Sequence, residues 1–121
     1  MNIEQTRRHY QSISEEDLCR CAFCRTYTAK IKAALPRMAA YLDSMGVDIE
    51  KPLEVLPLDE TEEEMEYMGA QYLVLGAPEG FPEITVEKIP VFITDSHPST
   101  KIPEKHFVIE IAFEDPLRLR R

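Results

Sequence analysis

The hydrophobic periodicity of the chain changes near Gly46, and this change limits the folds that the chain can adopt. Before Gly46, apolar residues recur every three or four positions, as on one face of a helix. These residues are Tyr27, Ile31, Leu35, Met38, Leu42 and Met45. After Gly46, short apolar runs and a period-two alternation over residues 107–113 indicate strands. Helices followed by strands predict an α+β fold, with N-terminal helices packed on a mainly antiparallel sheet of about four strands.

Capping and breaking residues predict where the helices begin and end. Residues 2–13 form a short amphipathic segment, and Ser14 followed by three acids is typical of a helix start. Pro36 interrupts the apolar stripe without shifting its phase, so we expect helices over residues 22–34 and 36–45 with a kink or a new start between them. Gly46 suits the left-handed conformation that commonly ends a helix.

Turn-forming residues divide the second part of the chain into predicted strands and loops. We predict strands over residues 53–56, 67–75, 84–93 (with a break or bulge at Pro90) and 107–113. Three segments are predicted to lie outside strands: the acid-rich residues 59–66, the turn-rich residues 94–100 and the basic tail 117–121. We expect the helical stripe that contains Tyr27 to pack on the strand face that contains Phe107.

The length of the chain matches one globular domain. With 121 residues, 44% of them hydrophobic, it buries enough surface to fold without disulfides or metal. The sequence therefore predicts a single domain over residues 1–121, with a helical part, residues 1–46, and a strand-rich part, residues 47–121. A net charge of −8 disfavours a nucleic-acid backbone or an anionic membrane as the partner.

The negative charge is concentrated in the strand-rich part. Residues 52–121 carry fifteen acidic and six basic groups, whereas residues 1–51 carry seven acidic and eight basic groups. Six of the acids lie within residues 59–66, which lack the spacing and the glycine of a calcium-binding loop. If this segment has a function, its charge would favour a basic protein partner.

The cysteine count and the N-terminal sequence predict a cytoplasmic protein. The first twenty residues lack the apolar stretch of a signal peptide, and no apolar run approaches the roughly 20 residues that span a bilayer. All three cysteines lie between positions 19 and 24, whereas a secreted disulfide scaffold distributes an even number along the chain.

Cys19, Cys21 and Cys24 form a C-x-C-x-x-C arrangement that points to a metal site. If a helix begins near Cys21, then Cys21 and Cys24 project from one face, and Cys19 can fold back towards them. Three thiolates in this arrangement suit Zn²⁺, which takes a fourth ligand in a closed site. The candidates for that ligand are His97, His9, His106 and Asp17, a second chain, or an open position.

Other interpretations of the cysteines remain open. The three residues are also compatible with half-buried structural cysteines in a helical hairpin. Alternatively, Cys21 and Cys24 form a C-x-x-C pair in a thiol redox enzyme or sensor, because a helix N-terminus and a neighbouring arginine favour a thiolate. A thioredoxin-type pair follows a strand, however, and the preceding segment here reads as helix.

Asp95, Ser96 and His97 contain the residue types of a catalytic triad, but adjacent residues do not supply its geometry. No nucleophile-elbow motif surrounds Ser96, and turn chemistry explains all three residues. The loop that contains His97 supports a third hypothesis, a small-molecule-binding domain. The four glycines of the chain are too scattered to form a phosphate-binding loop.

Residues 17–27, with the pattern C-x-C-x-x-C-R-x-Y, and residues 46–52 resemble small bacterial proteins of no established activity. The resemblance covers most of the chain and implies a cytoplasmic bacterial domain, and it transfers no functional residues. We favour a non-enzymatic domain that binds a protein partner and carries a structural zinc site at Cys19, Cys21 and Cys24.

Overall fold

A computed structural model of the chain describes residues 1–121 and contains three α-helices followed by five strands. The helices are α1 (Ile3–Ser12), α2 (Ala22–Ala34) and α3 (Pro36–Ser44). The strands are β1 (Glu54–Glu60), β2 (Glu64–Leu75), β3 (Ile84–Val86), β4 (Ile89–Ile93) and β5 (His106–Arg120). A 3₁₀ turn over Glu15–Asp17 connects α1 to α2. The α+β fold is confirmed, with five strands where the sequence predicted about four.

The five strands form one antiparallel sheet in the order β1-β2-β5-β4-β3. The two longest strands, β2 and β5, are adjacent, and their pairing runs from Glu64 opposite Arg120 to Leu75 opposite His106. The shorter strands extend the sheet on either side of this pair. The predicted antiparallel arrangement is therefore confirmed.

The helix boundaries agree with the capping residues. The Asn2 side chain accepts a hydrogen bond from the Gln5 amide at the start of α1, and Pro36 is the first residue of α3 rather than a kink within one helix. Gly46 ends the α3 region with φ = +83°, and a Cβ atom there would lie 2.6 Å from the Ile3 carbonyl oxygen. None of the three helices has the length and apolarity needed to cross a membrane.

The main apolar core lies between the helices and one face of the sheet. It contains the Tyr27 stripe of the helices and, from β5, Phe107, Ile109, Ile111 and Phe113, as the sequence predicted. A smaller cluster on the opposite face consists of Leu73, Leu75 and Val108, with Leu53 and Ile102 packed against it.

A β-bulge at Met68 keeps both ends of β2 on the core. Met68 is the extra residue of β2 against β1, and it is 47% exposed. On the other side of β2 the register also shifts between Tyr67 and Gly69, and residues 113–116 of β5 have no partner in β2. Tyr67 therefore faces the core on one side of the bulge and Ala70 faces it on the other, although regular alternation would separate them. A Cβ atom on Gly69 would lie 2.6 Å from the Ile111 carbonyl oxygen, so the close approach of β5 requires glycine.

Two segments that the sequence placed outside strands belong to the sheet, and those predictions are wrong. Most of the acid-rich segment 59–66 forms the ends of β1 and β2, and β1 passes through Pro57 by register shifts on both sides of it. The C-terminal tail is the end of β5, where Leu119 pairs with Met65 and is 5% exposed.

Cross-strand ion pairs explain these two corrections. The Arg118 Nε atom lies 2.6 Å from Glu66 Oε2, and the Arg121 Nη2 atom lies 2.6 Å from Glu60 Oε2. Arg118 and Glu66 face each other on the adjacent strands β5 and β2, so their opposite charges stabilise that pairing. The second pair joins the end of β1 to the residue that follows β5, across β2.

The sequence predicted a break or bulge at Pro90, whereas the structure reverses the chain at Glu87 and Lys88. Glu87 and Lys88 have φ values of 52° and 66°, as in the two-residue turn of a β-hairpin, and they reverse the chain between β3 and β4. Pro90 lies within β4, opposite Thr85. The turn was not predicted because it contains neither glycine nor asparagine, the residues that usually indicate such a turn.

We predict that Leu119→Ala lowers the free energy of unfolding by about 2–5 kcal/mol, since it removes a buried leucine side chain from the core. The neighbouring exposed Arg120→Ala serves as the matched control and should cost less than about 0.5 kcal/mol. Urea denaturation of both variants measures the difference. Equal and small effects would mean that the C-terminal residues are not part of the sheet.

Candidate metal centre

Cys21 caps the N-terminus of α2 with its thiol. Its backbone is extended (φ −64°, ψ 163°), and its Sγ atom accepts a hydrogen bond from the Cys24 amide at 3.4 Å. The Arg25 amide donates to the Cys21 carbonyl oxygen at 2.9 Å, which closes the first helical turn. The sulfur atom thus takes the place of the side-chain oxygen that usually caps a helix, and the first turn holds Cys21 and Cys24 close together.

The three cysteine sulfur atoms converge. The Sγ atoms of Cys19, Cys21 and Cys24 all lie within 4.8 Å of one another, and all three cysteines are free thiols. With Zn–S bonds of about 2.3 Å, the sulfur atoms of a tetrahedral site lie about 3.8 Å apart, so binding requires a contraction of about 1 Å at most. Cys19 and Cys21 are exposed and Cys24 is half-buried. The arrangement is therefore able to bind a metal ion.

Tyr67 fixes the first turn of α2 on the sheet. Its hydroxyl donates a hydrogen bond of 2.7 Å to the Phe23 carbonyl oxygen. The Tyr67 ring also packs edge-on against Phe23 and Tyr27, with centroid distances of 5.8 and 5.4 Å. The sequence analysis did not single out Tyr67 as a site residue, because its only signal was its place in the apolar run that became β2.

The thiols differ in their affinity for a proton. The hydrogen bond from the Cys24 amide is the main cause that lowers the pKa of the Cys21 thiol. Burial is the main cause that raises the pKa of the Cys24 thiol, and hydrogen bonds with Cys19 and Cys21 raise it further. Burial also raises the pKa of the Tyr67 hydroxyl, with smaller contributions from Cys24 and Cys21. In the metal-free protein, Cys21 is therefore more readily deprotonated than Cys24.

A cavity of about 320 Å³ is lined in part by the three cysteines. One wall comes from the cysteine segment and the start of α2, and the other comes from residues 52–57, which include the first residues of β1. Besides the cysteines, the lining residues are Asp17, Leu18, Phe23, Thr28, Pro52, Leu53, Glu54, Val55 and Pro57. The cavity is therefore mostly apolar, and Asp17 and Glu54 are the charged residues that line it.

His97 lies away from the cysteines, on the other face of the sheet. Gln71 donates a hydrogen bond of 2.8 Å to the Ser96 carbonyl oxygen, which places this loop on the face towards which Gln71 points. The next residue, Tyr72, points to the opposite face and bonds to Tyr27 of α2 through the two hydroxyls. The exposed His97 ring bonds to the Pro98 carbonyl oxygen, so the structure does not bring His97 to the thiols.

The other proposed fourth ligands do not belong to the converging group. His106 bonds to Thr100 and to the Glu104 carbonyl oxygen, and the pKa of His9 is lowered mainly by burial, with Glu104 and His106 as its charged neighbours. Asp17 lines the cavity, but its Oδ2 atom accepts hydrogen bonds from the Ser14 amide and hydroxyl at 2.9 and 3.1 Å.

The triad residue types Asp95, Ser96 and His97 form no hydrogen bonds with one another. The Ser96 amide bonds to the Thr94 hydroxyl, as in a turn. No family model, curated protein or solved structure matches the chain. The resemblance of residues 17–27 and 46–52 to small bacterial proteins stays a prediction.

We predict that Tyr67→Phe destabilises the first turn of α2, because the Phe23 carbonyl oxygen loses its hydrogen-bond donor. Tyr10→Phe is the matched control, since the Tyr10 hydroxyl also donates a 2.7 Å bond to a carbonyl oxygen, that of Leu73. Both variants should lose about 1–2 kcal/mol of stability. Only Tyr67→Phe should accelerate hydrogen exchange at the Arg25 amide relative to the rest of α2. Equal exchange at Arg25 in the two variants would contradict the assigned role of Tyr67.

Proposed function

We propose that the protein is a zinc-binding domain in which Cys19, Cys21 and Cys24 bind one Zn²⁺ ion. The observation that carries the proposal is the convergence of the three sulfur atoms within 4.8 Å of one another. Zinc is the ion of choice because it accepts thiolate ligands in a tetrahedral geometry and undergoes no redox reaction. The proposal includes a cytoplasmic location, where thiols remain reduced and free to bind a metal.

The bound ion would connect two parts of the chain that otherwise share few bonds. Cys19 lies in the segment between the 3₁₀ turn and α2, whereas Cys21 and Cys24 belong to the start of α2. A metal shared by these residues fixes the segment against the helix, and the free energy of metal binding then contributes to folding. This non-enzymatic role needs no residue beyond the three ligands and the Tyr67 hydroxyl that positions α2.

A protein partner remains part of the proposal, but we do not place its contact surface at the acid-rich segment 59–66. Three glutamates of this segment form ion pairs within the chain: Glu60 with Arg121, Glu63 with Arg120 and Glu66 with Arg118. These pairs neutralise part of the charge that a basic partner would meet. The acidic surface is therefore weaker support for a partner than the sequence alone indicated.

A thiol redox function is the second candidate, because one observation favours it. The exposed Cys21 thiol accepts a hydrogen bond from the amide of Cys24, and the sulfur atoms of these two residues lie within 4.8 Å of each other. Neighbouring thiols of this kind serve as nucleophile and resolving group in redox proteins. This candidate requires metal-free cysteines, so the metal content separates it from the zinc site.

We predict that the protein, purified under reducing conditions without added metal, contains one equivalent of zinc by elemental analysis. Serine at any of the three cysteine positions should lower the zinc affinity by more than about 100-fold, because loss of an outer partner of a metal ligand already costs 10–100-fold. His97→Ala is the control and should leave the affinity unchanged, since His97 does not join the thiols.

The opposite outcome is equally well defined. A metal-free protein whose melting temperature does not respond to added zinc or to chelator would contradict the zinc site. If Cys21 were then alkylated by iodoacetamide much faster than Cys24, the redox candidate would replace it. Uniformly slow alkylation of the three thiols would leave structural cysteines as the explanation.

A further inference from the structure

We propose that the metal site leaves its fourth coordination position open to the adjoining cavity, where it binds a small uncharged thiol with an apolar body. This inference rests on the proposed zinc site and names the ligand that completes it. The sulfur atom of the thiol would become the fourth ligand, and the apolar body would occupy the space between α2 and the segment that leads into β1. The observations that support it are the ligand set, the shape of the cavity and the distribution of charge around it.

The chain does not supply a fourth nitrogen or sulfur ligand. It contains no further cysteine, and no histidine lines the cavity. The two carboxylates that line it are those of Asp17 and Glu54. Asp17 already accepts two hydrogen bonds from Ser14, and Glu54 is an exposed residue at the start of β1. Sites with three protein ligands typically keep the fourth position for an external molecule.

The cavity is large enough for such a molecule. Its volume of about 320 Å³ lies at the lower end of the range for small-molecule pockets, which is roughly 300–1,000 Å³. Cys19, Cys21 and Cys24 all belong to its lining, so the cavity adjoins the proposed metal site. A site that served only to join two parts of the chain would not need this space.

The walls of the cavity select the chemical class of the ligand. Leu18, Phe23 and Pro52 present apolar surface, which favours an apolar body. Asp17 and Glu54 are both acidic and repel a ligand that carries carboxylates. Arginine side chains flank the cysteines in sequence but do not line the cavity, so they do not offset these two acids.

A thiol is the donor that best matches a three-thiolate site. A metal that binds three thiolates also favours a thiolate as its fourth ligand. A fourth sulfur atom gives the tetrahedral tetrathiolate arrangement that zinc commonly adopts. On binding, the thiol loses its proton to solvent, because a thiol that coordinates Zn²⁺ is deprotonated. The step forms one metal–sulfur bond, displaces a water molecule from the fourth position and changes no oxidation state.

The test uses the intact protein loaded with Co²⁺, whose visible absorption reports the number of sulfur ligands and the coordination geometry. Three thiols are titrated into it: benzyl mercaptan, 2-mercaptoethanol and glutathione. We expect each bound thiol to shift the spectrum towards that of a tetrathiolate site. Benzyl mercaptan should bind at least tenfold more tightly than 2-mercaptoethanol, and glutathione should bind most weakly because of its carboxylates.

Variants of the lining test whether the cavity selects the thiol. Thr28→Phe fills the cavity and should abolish the preference for benzyl mercaptan while the cobalt–thiolate absorption remains. Leu18→Ala removes apolar surface from the wall and should reduce the preference, which covers the case in which Thr28→Phe fails to fold. Asp17→Asn and Glu54→Gln should leave the initial cobalt spectrum unchanged and should strengthen glutathione binding.

The contradicting outcomes separate this inference from the proposed function. Absence of any cobalt–thiolate absorption would overturn both the metal site and the ligand. A cobalt–thiolate spectrum that does not respond to any of the three thiols would overturn the open position alone. A tetrathiolate spectrum before any thiol is added, or a changed spectrum in Asp17→Asn or Glu54→Gln, would show a fourth ligand from protein and would also overturn it.

Discussion

The pairing of β2 with β5 determines where every other element lies. The two strands pair from Glu64–Arg120 to Leu75–His106, and the helices pack on the face that this pairing creates. The bulge at Met68 allows Tyr67 to point to that face together with residues on the other side of the bulge. The Tyr67 hydroxyl can then hold the Phe23 carbonyl oxygen, and with it the first turn of α2 and its cysteines. The candidate metal centre thus depends on an irregularity in β2.

The elements that were predicted well are those determined by nearby residues. The Pro36 start of α3 and the Gly46 stop follow from the conformational limits of single residues, and the alternation of residues 107–113 reports a strand directly. The elements that were missed depend on distant partners. Residues 117–121 and the acid-rich segment 59–66 meet partners far away in sequence, through the buried pair Met65 and Leu119 and through ion pairs between arginines and glutamates. The Glu87–Lys88 turn depends on the pairing of β3 with β4 and lacks the usual turn residues.

The same distinction applies to the candidate site. The short spacing of the three cysteines was enough to predict that Cys21 and Cys24 share a helical turn, because that geometry is local. The role of Tyr67 and the cavity wall formed by residues 52–57 were not predictable, since both come from segments about 30 or more residues away along the chain. His97 was proposed as a ligand on residue type alone, and the alternation of β2 places its loop on the opposite face of the sheet. The turn that carries the thiols and the cavity that they line support the proposed three-ligand site with an open fourth position.

X-ray absorption at the zinc K-edge of the zinc-loaded protein tests the central claim most directly, because it counts the sulfur atoms bound to the metal. The measurement is made in the absence of added thiol, with phosphine as the reducing agent. We expect three sulfur atoms at about 2.3 Å and one oxygen atom from water in the fourth position. A first shell with two or fewer sulfur atoms would contradict the assignment of Cys19, Cys21 and Cys24 as the ligands, and four sulfur atoms would contradict the open position.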